Sequence, residues 1–424
     1  MTEVDVRIVP VPLKGVIDVP ASKSELHRML ICAAFSDRPV RISAAAGHLS
    51  EDIKATVRCL RSLGASVRAD DGSVTVTPSG RDTASAVLDC GESGSTLRML
   101  LPAASAVCGA LDVTGSGSLP GRPVAELVDQ MERHGVAFSS SILPFRTQGK
   151  LRGGRFEVPG DITSQYLSGL LLASPLLEGG AQTELTSELA SAGYVRVTLD
   201  IMERFGIHAV EEGKTFRCAQ GGYLSPGEIR AGGDWSAAAA FIVMAAAGKD
   251  CDITLSGLDS RSFQPDRIAA DILRSAGADI TDGEYGIRVR SSALKALGAD
   301  AAEVPDLIPV LSAAACAAQG RSVFRGCERL RYKESDRMSE LRRMLSSMGA
   351  AVTADGDMLS VECRGDGISC EVDPSGDHRI VMAAAAAAYA LSVPVTVRNA
   401  EAVNKSYPEF FDDLRSLGGE ADVI

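Results

Sequence analysis

LRSLG, residues 60–64, closes an amphipathic run and leads into the alternating segment ASVRAD. The phrase returns as MERHG (131–135), MERFG (202–206), LRSAG (273–277), LSSMG (345–349) and LRSLG (414–418). The closing glycines are 71, 71, 71, 72 and 69 residues apart. A Gly just past an amphipathic helix supplies the left-handed conformation of a helix C-terminus. A fixed period of this length marks repeated supersecondary units. Six such units are therefore expected along the chain.

A second series keeps the same period. Almost wholly apolar stretches open at Ser24, Ser93, Ser164, Ser236, Asp306 and Asp377, spaced by 69, 71, 72, 70 and 71 residues. Helices that are apolar all round are buried. Ser and Asp at their starts satisfy exposed N–H groups. Each unit thus pairs one buried and one amphipathic helix, with strands between them. Helix N-termini carry partial positive charge and attract anions. Six equivalent N-termini, three from each half, point to an anionic ligand held between two halves.

Composition sets the outer limits. A chain of 424 residues fits two domains of three units each. A net charge of −12 argues against a nucleic-acid partner. The ten cysteines show no CxxC pair and no His at ligand spacing, so they read as reduced thiols of a cytoplasmic protein and no metal is expected. MTEVDVRIVP is not a signal sequence in pattern. The longest apolar stretch, Ile380 to Val395, has 16 residues and contains Pro394, so no membrane span is expected; a span needs ~20 residues.

Polar residues gather where the buried helices begin. Lys23 and Ser24 open the first, with Arg28 on the face of Ser24. A Lys at a helix start opposes the dipole unless an anion sits there. The second opens with GESGSTLR: Gly91, Glu92, Ser93, Gly94, Ser95, Thr96 and Arg98. A Gly/Ser-rich turn into a helix cradles phosphate or carboxylate through backbone N–H groups. The third opens with Thr163, Ser164 and Gln165, where N-capping accounts for one residue of the three. Asp306 in VPDLIP reads by itself as a cap. Asp377, His378 and Arg379 start an Ala-rich helix where packing does not explain them. YKESDRMSELRRM is read as the start of an amphipathic helix, with Lys333 and Arg337 at i and i+4 and Glu334 beside them. Lys405 in NKSYPEFF holds the matching place in unit six. Lys23, Arg28, Lys333, Arg337, Arg379 and Lys405 form an anion-binding set drawn from both halves. With the carboxyl groups of Asp306 and Glu334, the set implies proton transfer on a multiply anionic substrate pair.

SKS…R, DITSQY, VPD, KESDR, DHR and NKSYPEFF in this order, on six units, closely resemble the EPSP synthase (3-phosphoshikimate 1-carboxyvinyltransferase) family across essentially the whole chain. The resemblance implies a two-domain, inside-out α/β barrel of six βαβαββ units, three per domain, with buried helices and outer sheets. It places residues 22–232 in an N-terminal domain, 1–21 plus 233–424 in a C-terminal domain, and the active site in the cleft between them. It implies no cofactor and, as the family's default, a monomer. The implied reaction adds the 5-hydroxyl of shikimate 3-phosphate to phosphoenolpyruvate and then eliminates phosphate. Lys23, Ser24, Arg28, Thr163, Ser164, Gln165, Ser191, Asp306 and Lys333 are expected at shikimate 3-phosphate, with Tyr194 lining the pocket and Arg329 at the phosphate. Lys23, Gly94, Gln165, Arg337, Arg379 and Lys405 are expected at phosphoenolpyruvate. Asp306 is the implied acceptor of the 5-hydroxyl proton and Glu334 the implied donor to C3, helped by Lys23. Arg98, Arg122 and His378 are supporting groups.

Three positions depart from the family pattern. Glu92 and Arg329 stand where Asn is usual, and Ser118 where Arg is usual, with Arg122 four residues on as a substitute cation. The related transferase acting on UDP-N-acetylglucosamine pairs its Lys with Asn, where this chain has Ser24. It also carries a loop Cys that Gly115–Pro123 lacks. A terminal-phosphate RNA cyclase shares the repeat unit, but the acidic charge opposes it. A non-catalytic paralogue that binds a phosphorylated ligand is the remaining alternative, motivated by Ser118 and Glu92.

Overall fold

The computed structural model describes residues 4–43, 49–70, 72–78, 83–284, 286–363 and 365–424. Residues 1–3 of the MTEVDVRIVP stretch thus lie outside the described residues. The helices are α1 Lys23–Ala34, α2 Glu51–Ser62, α3 Gly94–Val107, α4 Ala125–Arg133, α5 Ser164–Ala173, α6 Ala192–Arg204, α7 Trp235–Ala247, α8 Ile268–Ser275, α9 Ile308–Ala315, α10 Arg337–Ser347, α11 His378–Leu391 and α12 Phe410–Ser416. Odd-numbered helices are the buried series and even-numbered ones the amphipathic series.

Each even-numbered helix ends two residues before one of the six repeat glycines. Gly64, Gly135, Gly206, Gly277, Gly349 and Gly418 all have φ between 75° and 101°. The residue after each Gly donates its N–H back across the last turn: Ala65 to Leu60, Val136 to Met131, Ile207 to Met202, Ala278 to Leu273, Ala350 to Leu345 and Gly419 to Leu414, at 2.9–3.1 Å. These bonds satisfy orphan carbonyls at the helix ends and turn the chain into the next strand.

Among the described residues there are six sheets of four strands, all with one pairing pattern. In each, the first two strands are parallel and the rest antiparallel. In unit two, residues 83–89 pair in parallel with 108–114, which pair antiparallel with 145–148, which pair antiparallel with 137–138. Strand residues alternate between buried and open faces, as in Val6–Val9, where Val6 and Ile8 are buried.

Two bodies result. As far as described, one holds residues 4–22, 49, 50 and 232–424, and the other holds residues 23–43 and 51–231. We call them the C-terminal and N-terminal halves. The division differs from the expected bounds at Ser22 and Gly232. Both fall in the C-terminal half, where the Ser22 N–H donates to the Gly232 carbonyl at 2.8 Å and Ala21 bridges Gly233. Leu49 and Ser50 also group there. Strands far apart in sequence complete three sheets. Lys14–Asp18 lies parallel to Asp252–Ser256, Val6–Val9 closes the sheet of unit six, and Glu228–Arg230 lies parallel to Val40–Ser43.

In the N-terminal half α1, α3 and α5 pack on one another; in the C-terminal half α7, α9 and α11 do the same. Small residues allow the close approach. Ala383 to Ala388 of α11 are all fully buried. Gly169 of α5 lies so near α3 that a Cβ there would run into the carbonyl oxygen of Arg98.

The helix starts depart in part from expectation. Ser93 and Asp377 cap α3 and α11, accepting from Thr96 N–H and Arg379 N–H. Thr163 rather than Ser164 caps α5, and Asp234 rather than Ser236 caps α7. Asp306 is not a cap: α9 begins at Ile308 without a side-chain cap. Lys333 and Glu334 do not belong to the helix of Arg337. Asp336 accepts the Ser339 N–H and its hydroxyl, which starts α10 at Arg337, so Lys333 and Arg337 do not share a helical face.

Candidate active site

In the N-terminal half the site grows from the first turns of α1, α3 and α5. Lys23 Nζ lies 2.8 Å from Asp52 Oδ2 at the start of α2. This carboxylate offsets the unfavourable placing of an ammonium at a helix N-terminus. Asp52 was not foreseen, because an acid in the first turn of a surface helix is ordinary dipole complementation. Arg28 is 3% exposed and makes four hydrogen bonds. It donates to the Ser24 carbonyl at 2.7 Å, Ser24 Oγ at 3.0 Å, Thr198 Oγ1 at 2.7 Å and the Tyr194 carbonyl at 3.0 Å. Ser24 and Arg28 thus share a face as expected, while Tyr194 takes part through its main chain. Burial lowers the Arg28 guanidinium to about 10, still charged at neutral pH. Ser191, at the start of α6, is buried with φ 57° and ψ 42°. A non-Gly residue there carries backbone strain of a kind that clusters at ligand sites.

A second group surrounds the start of α3. Arg98 donates to the Pro123 carbonyl at 2.8 Å and to Gln165 Oε1 at 2.9 Å, and Gln165 Nε2 donates to Ser95 Oγ at 2.9 Å. Thr163 accepts the Gln165 N–H at 3.2 Å, which orients that residue. A Cβ on Gly94 would stand 2.7 Å from Arg98 Nη1 and 3.0 Å from Arg122 Cζ. Two guanidinium groups therefore flank Gly94. Ser118 lies in the same loop and supplies no cation. The Glu92 carboxyl instead packs against the α-carbon of Gly117.

The C-terminal half holds a denser cluster. Arg337, 1% exposed, binds three carboxylates: Asp377 Oδ2 through Nε at 2.8 Å, Asp306 Oδ1 at 2.7 Å and Glu334 Oε2 at 2.6 Å. Asp377 also accepts from Ser335 Oγ at 3.0 Å and from the Arg379 N–H at 2.8 Å. Asp306 has Lys333 Nζ at 3.6 Å and Arg379 Nη2 at 3.8 Å as further neighbours. Burial opposes its ionisation, but Lys333, Arg337 and Arg379 together hold its carboxyl well below the usual range. Lys333 is pulled down to about 8, first by burial and then by Arg337 and Arg329, against the opposing pull of Asp306. Arg379 also donates to the Ser236 carbonyl at 3.1 Å. Arg329 approaches the Ala302 carbonyl at 3.5 Å. His378 is buried beside Asp377, and Lys405 is buried at the end of the 3-10 segment Ala400–Lys405.

Three groups of the residues expected from sequence are thus in contact: Ser24, Arg28 and Tyr194; Gly94, Arg98, Arg122 and Gln165; and Asp306, Lys333, Glu334, Arg337 and Arg379. Sequence reasoning missed the acids that hold the cations in place, Asp52 and Asp377, of which Asp377 was noted only as a polar helix start. It also missed Thr198, which joins Arg28 to Ser168 Oγ. Among the described residues no cluster of His, Cys, Asp and Glu is suited to a metal ion. None of their helices is long and apolar enough to cross a membrane.

Comparison with known proteins places the chain in a family. Residues 9–414 match the family model described as EPSP synthase (3-phosphoshikimate 1-carboxyvinyltransferase). The 3-phosphoshikimate 1-carboxyvinyltransferase of Clostridium kluyveri is 37% identical over 427 residues, covering 98% of this chain and 98% of the relative. Its counterpart in Halobacterium salinarum is 34% identical, over 97% of this chain and 98% of the relative. Among solved structures, EPSP synthase from Acinetobacter baumannii is similar with a TM-score of 0.81 and 26% identity, covering 99% of this chain and 100% of that one. The enolpyruvyl transferase NikO from Streptomyces tendae shares the fold, with a TM-score of 0.76, 19% identity and 99% of both chains covered. The chain belongs to the EPSP synthase (3-phosphoshikimate 1-carboxyvinyltransferase) family.

Proposed function

We propose that this protein transfers the enolpyruvyl group of phosphoenolpyruvate to the 5-hydroxyl of shikimate 3-phosphate, releasing phosphate, as a step of aromatic amino acid biosynthesis. The observation that carries this reading is the set of cations around Asp306 with Glu334 beside it. Lys333, Arg337 and Arg379 all face one carboxylate, and Arg337 also holds the second. Such a site suits a substrate pair with several negative charges and a reaction with two proton transfers.

Shikimate 3-phosphate takes Lys23, Ser24, Arg28, Thr163, Ser164, Gln165, Ser191, Tyr194, Asp306, Arg329 and Lys333. Phosphoenolpyruvate takes Lys23, Gly94, Gln165, Arg337, Arg379 and Lys405. Arg122 beside Gly94 supports a cation there despite Ser118, and Arg98, with Gln165, holds the same seat.

Asp306 accepts the 5-hydroxyl proton as that oxygen forms its bond to C2 of phosphoenolpyruvate. Glu334 delivers a proton to C3, assisted by Lys23. The tetrahedral adduct then loses C3–H as a proton and phosphate as the leaving group, which restores the C2–C3 double bond and leaves an enol ether. Surrounded by three cations, the Asp306 carboxylate is by itself a weak base. Bound anions offset those cations and raise its basicity, so the base is switched on by substrate. The ten thiols, eight of them buried and all unbridged, support the cytoplasm as compartment. We further propose that the protein works as a monomer.

The decisive experiment measures phosphate release from phosphoenolpyruvate with and without shikimate 3-phosphate. Release that depends strictly on shikimate 3-phosphate is expected. No release from a protein that still binds shikimate 3-phosphate would favour the non-catalytic alternative.

A further inference from the structure

His27 lies on α1 one turn beyond Lys23 and is 1% exposed. Its Nδ1 is 2.8 Å from Thr56 Oγ1 on α2, while its Nε2 is buried and meets no partner. Burial, then Lys23 and Arg28, hold the imidazole well below its ordinary pKa, so the ring is neutral and carries one proton. Nε2 lacks a partner with either tautomer, and a bare buried acceptor is met more often than a bare buried N–H, which puts the proton on Nδ1. On Nδ1 it is donated to Thr56.

The choice of tautomer fixes the direction of a chain of hydroxyls. Thr56 Oγ1, already accepting from His27, has Thr96 Oγ1 on α3 at 2.7 Å, far nearer than its other acceptor, the Asp52 carbonyl at 3.5 Å, so its proton goes to Thr96. Thr96 Oγ1 lies 2.8 Å from Ser93 Oγ, closer than the alternative acceptor at 3.3 Å, the Asp52 carbonyl. Ser93 Oγ also accepts the Thr96 N–H at 3.1 Å. A hydroxyl oxygen has two lone pairs, and both are now used. The Ser93 proton therefore has no acceptor among the described residues, and Ser93 stands directly before Gly94. With the opposite tautomer the chain would run the other way, and Thr96 would consume the Ser93 proton.

We infer that His27, held as the Nδ1–H tautomer, is a positioning residue that acts through Thr56 and Thr96 to leave Ser93 as a hydrogen-bond donor to an anion at the start of α3. This rests on the reading that phosphoenolpyruvate lies against Gly94. Ser93 gives it a neutral donor next to Gly94, which the guanidinium groups of Arg98 and Arg122 flank. The arrangement links the helix that bears Lys23 to the helix that bears Gly94 without placing another charge in the site.

Two measurements test the inference on the intact protein. Nitrogen-15 NMR of histidine-labelled protein should show the His27 Nδ1 protonated and Nε2 bare, unchanged from pH 6 to pH 9. A protonated Nε2, or titration within that range, overturns it. Steady-state kinetics supply the second arm. His27→Leu, Thr96→Val and Ser93→Ala should each raise KM for phosphoenolpyruvate about tenfold, the scale of one hydrogen bond, while shikimate 3-phosphate binding is kept. His27→Asn, whose amide N–H replaces Nδ1–H, should recover most of the loss seen in His27→Leu. Equal impairment of the Asn and Leu variants, or a parallel loss of shikimate 3-phosphate binding, would mean a purely structural role and overturn the inference. A parent that releases no phosphate would sink the proposed function, while the NMR result still decides the tautomer.

Discussion

Arg337 and Asp377 form an ion pair with almost no contact with water: Nε to Oδ2 is 2.8 Å, and the side chains are 1% and 0% exposed. Asp377 caps α11 with its other oxygen, so one carboxylate fixes both the helix start and the guanidinium. Nη1 and Nη2 of Arg337 reach Asp306 and Glu334, and Nη2 also meets Asp377 Oδ1 at 3.3 Å. The two proposed proton-transfer groups are thus held by one cation, which is itself anchored by Asp377.

Asp377→Asn keeps an acceptor for the Arg379 N–H but removes the charge opposite Arg337. Arg337 keeps Asp306 and Glu334, so the loss is that of a charge-assisted hydrogen bond, about 1.5–3 kcal/mol. Urea unfolding of the variant should show a loss of this size. KM for phosphoenolpyruvate should rise in the same variant, because Arg337 loses its anchor. An unchanged unfolding midpoint would mean that Asp377 acts only as a cap.

Lys333 gives a pH prediction. Burial lowers its ammonium to about 8, so in the free protein it is charged below that pH and neutral above it. Shikimate 3-phosphate should bind most tightly below pH 8 and more weakly as pH rises toward 9.5. Binding above pH 8 should take up a proton, read by calorimetry in buffers of different ionisation enthalpy. Lys333→Arg stays charged throughout and should abolish the decline. A decline that persists in this variant would assign it to another group.

The period was legible because one physical need, a left-handed residue after a helix, recurs six times and Gly meets it best. The buried helices were legible from their apolar character, but their first residues were not. Thr163 and Asp234 cap where Ser164 and Ser236 were expected, since several adjacent polar residues compete for one role. Lys333 and Arg337 matched a helical spacing, yet Asp336 starts the helix between them, and the two cations meet only through Asp306. Asp52 left no signal, because its pairing with Lys23 joins separate helices. His27 was hidden for the same reason: its partner Thr56 lies 29 positions away.

Gly169 supplies a packing prediction. A methyl group there would meet the Arg98 carbonyl and push α5 away from α3. Gly169→Ala should destabilise by about 1–3 kcal/mol, as overpacking does. The shift also pulls Gln165 from Arg98, whose contact is 2.9 Å. KM for phosphoenolpyruvate should therefore rise even at temperatures where the variant is fully folded. Unaltered kinetics in the folded variant would uncouple the helix contact from the site.

Glu334 separates chemistry from binding. Its Oε2 receives Arg337 Nη2 at 2.6 Å, and its side chain is 13% exposed. Glu334→Gln keeps an acceptor oxygen for Arg337 but cannot deliver a carboxylic proton. Proton transfer by a positioned group contributes about 10²–10⁴-fold, so kcat should fall by that range. Shikimate 3-phosphate binding, measured by calorimetry, should stay within a few-fold of the parent. Equal loss of turnover and binding would make Glu334 a structural partner of Arg337 and move the search for the C3 proton donor to another residue.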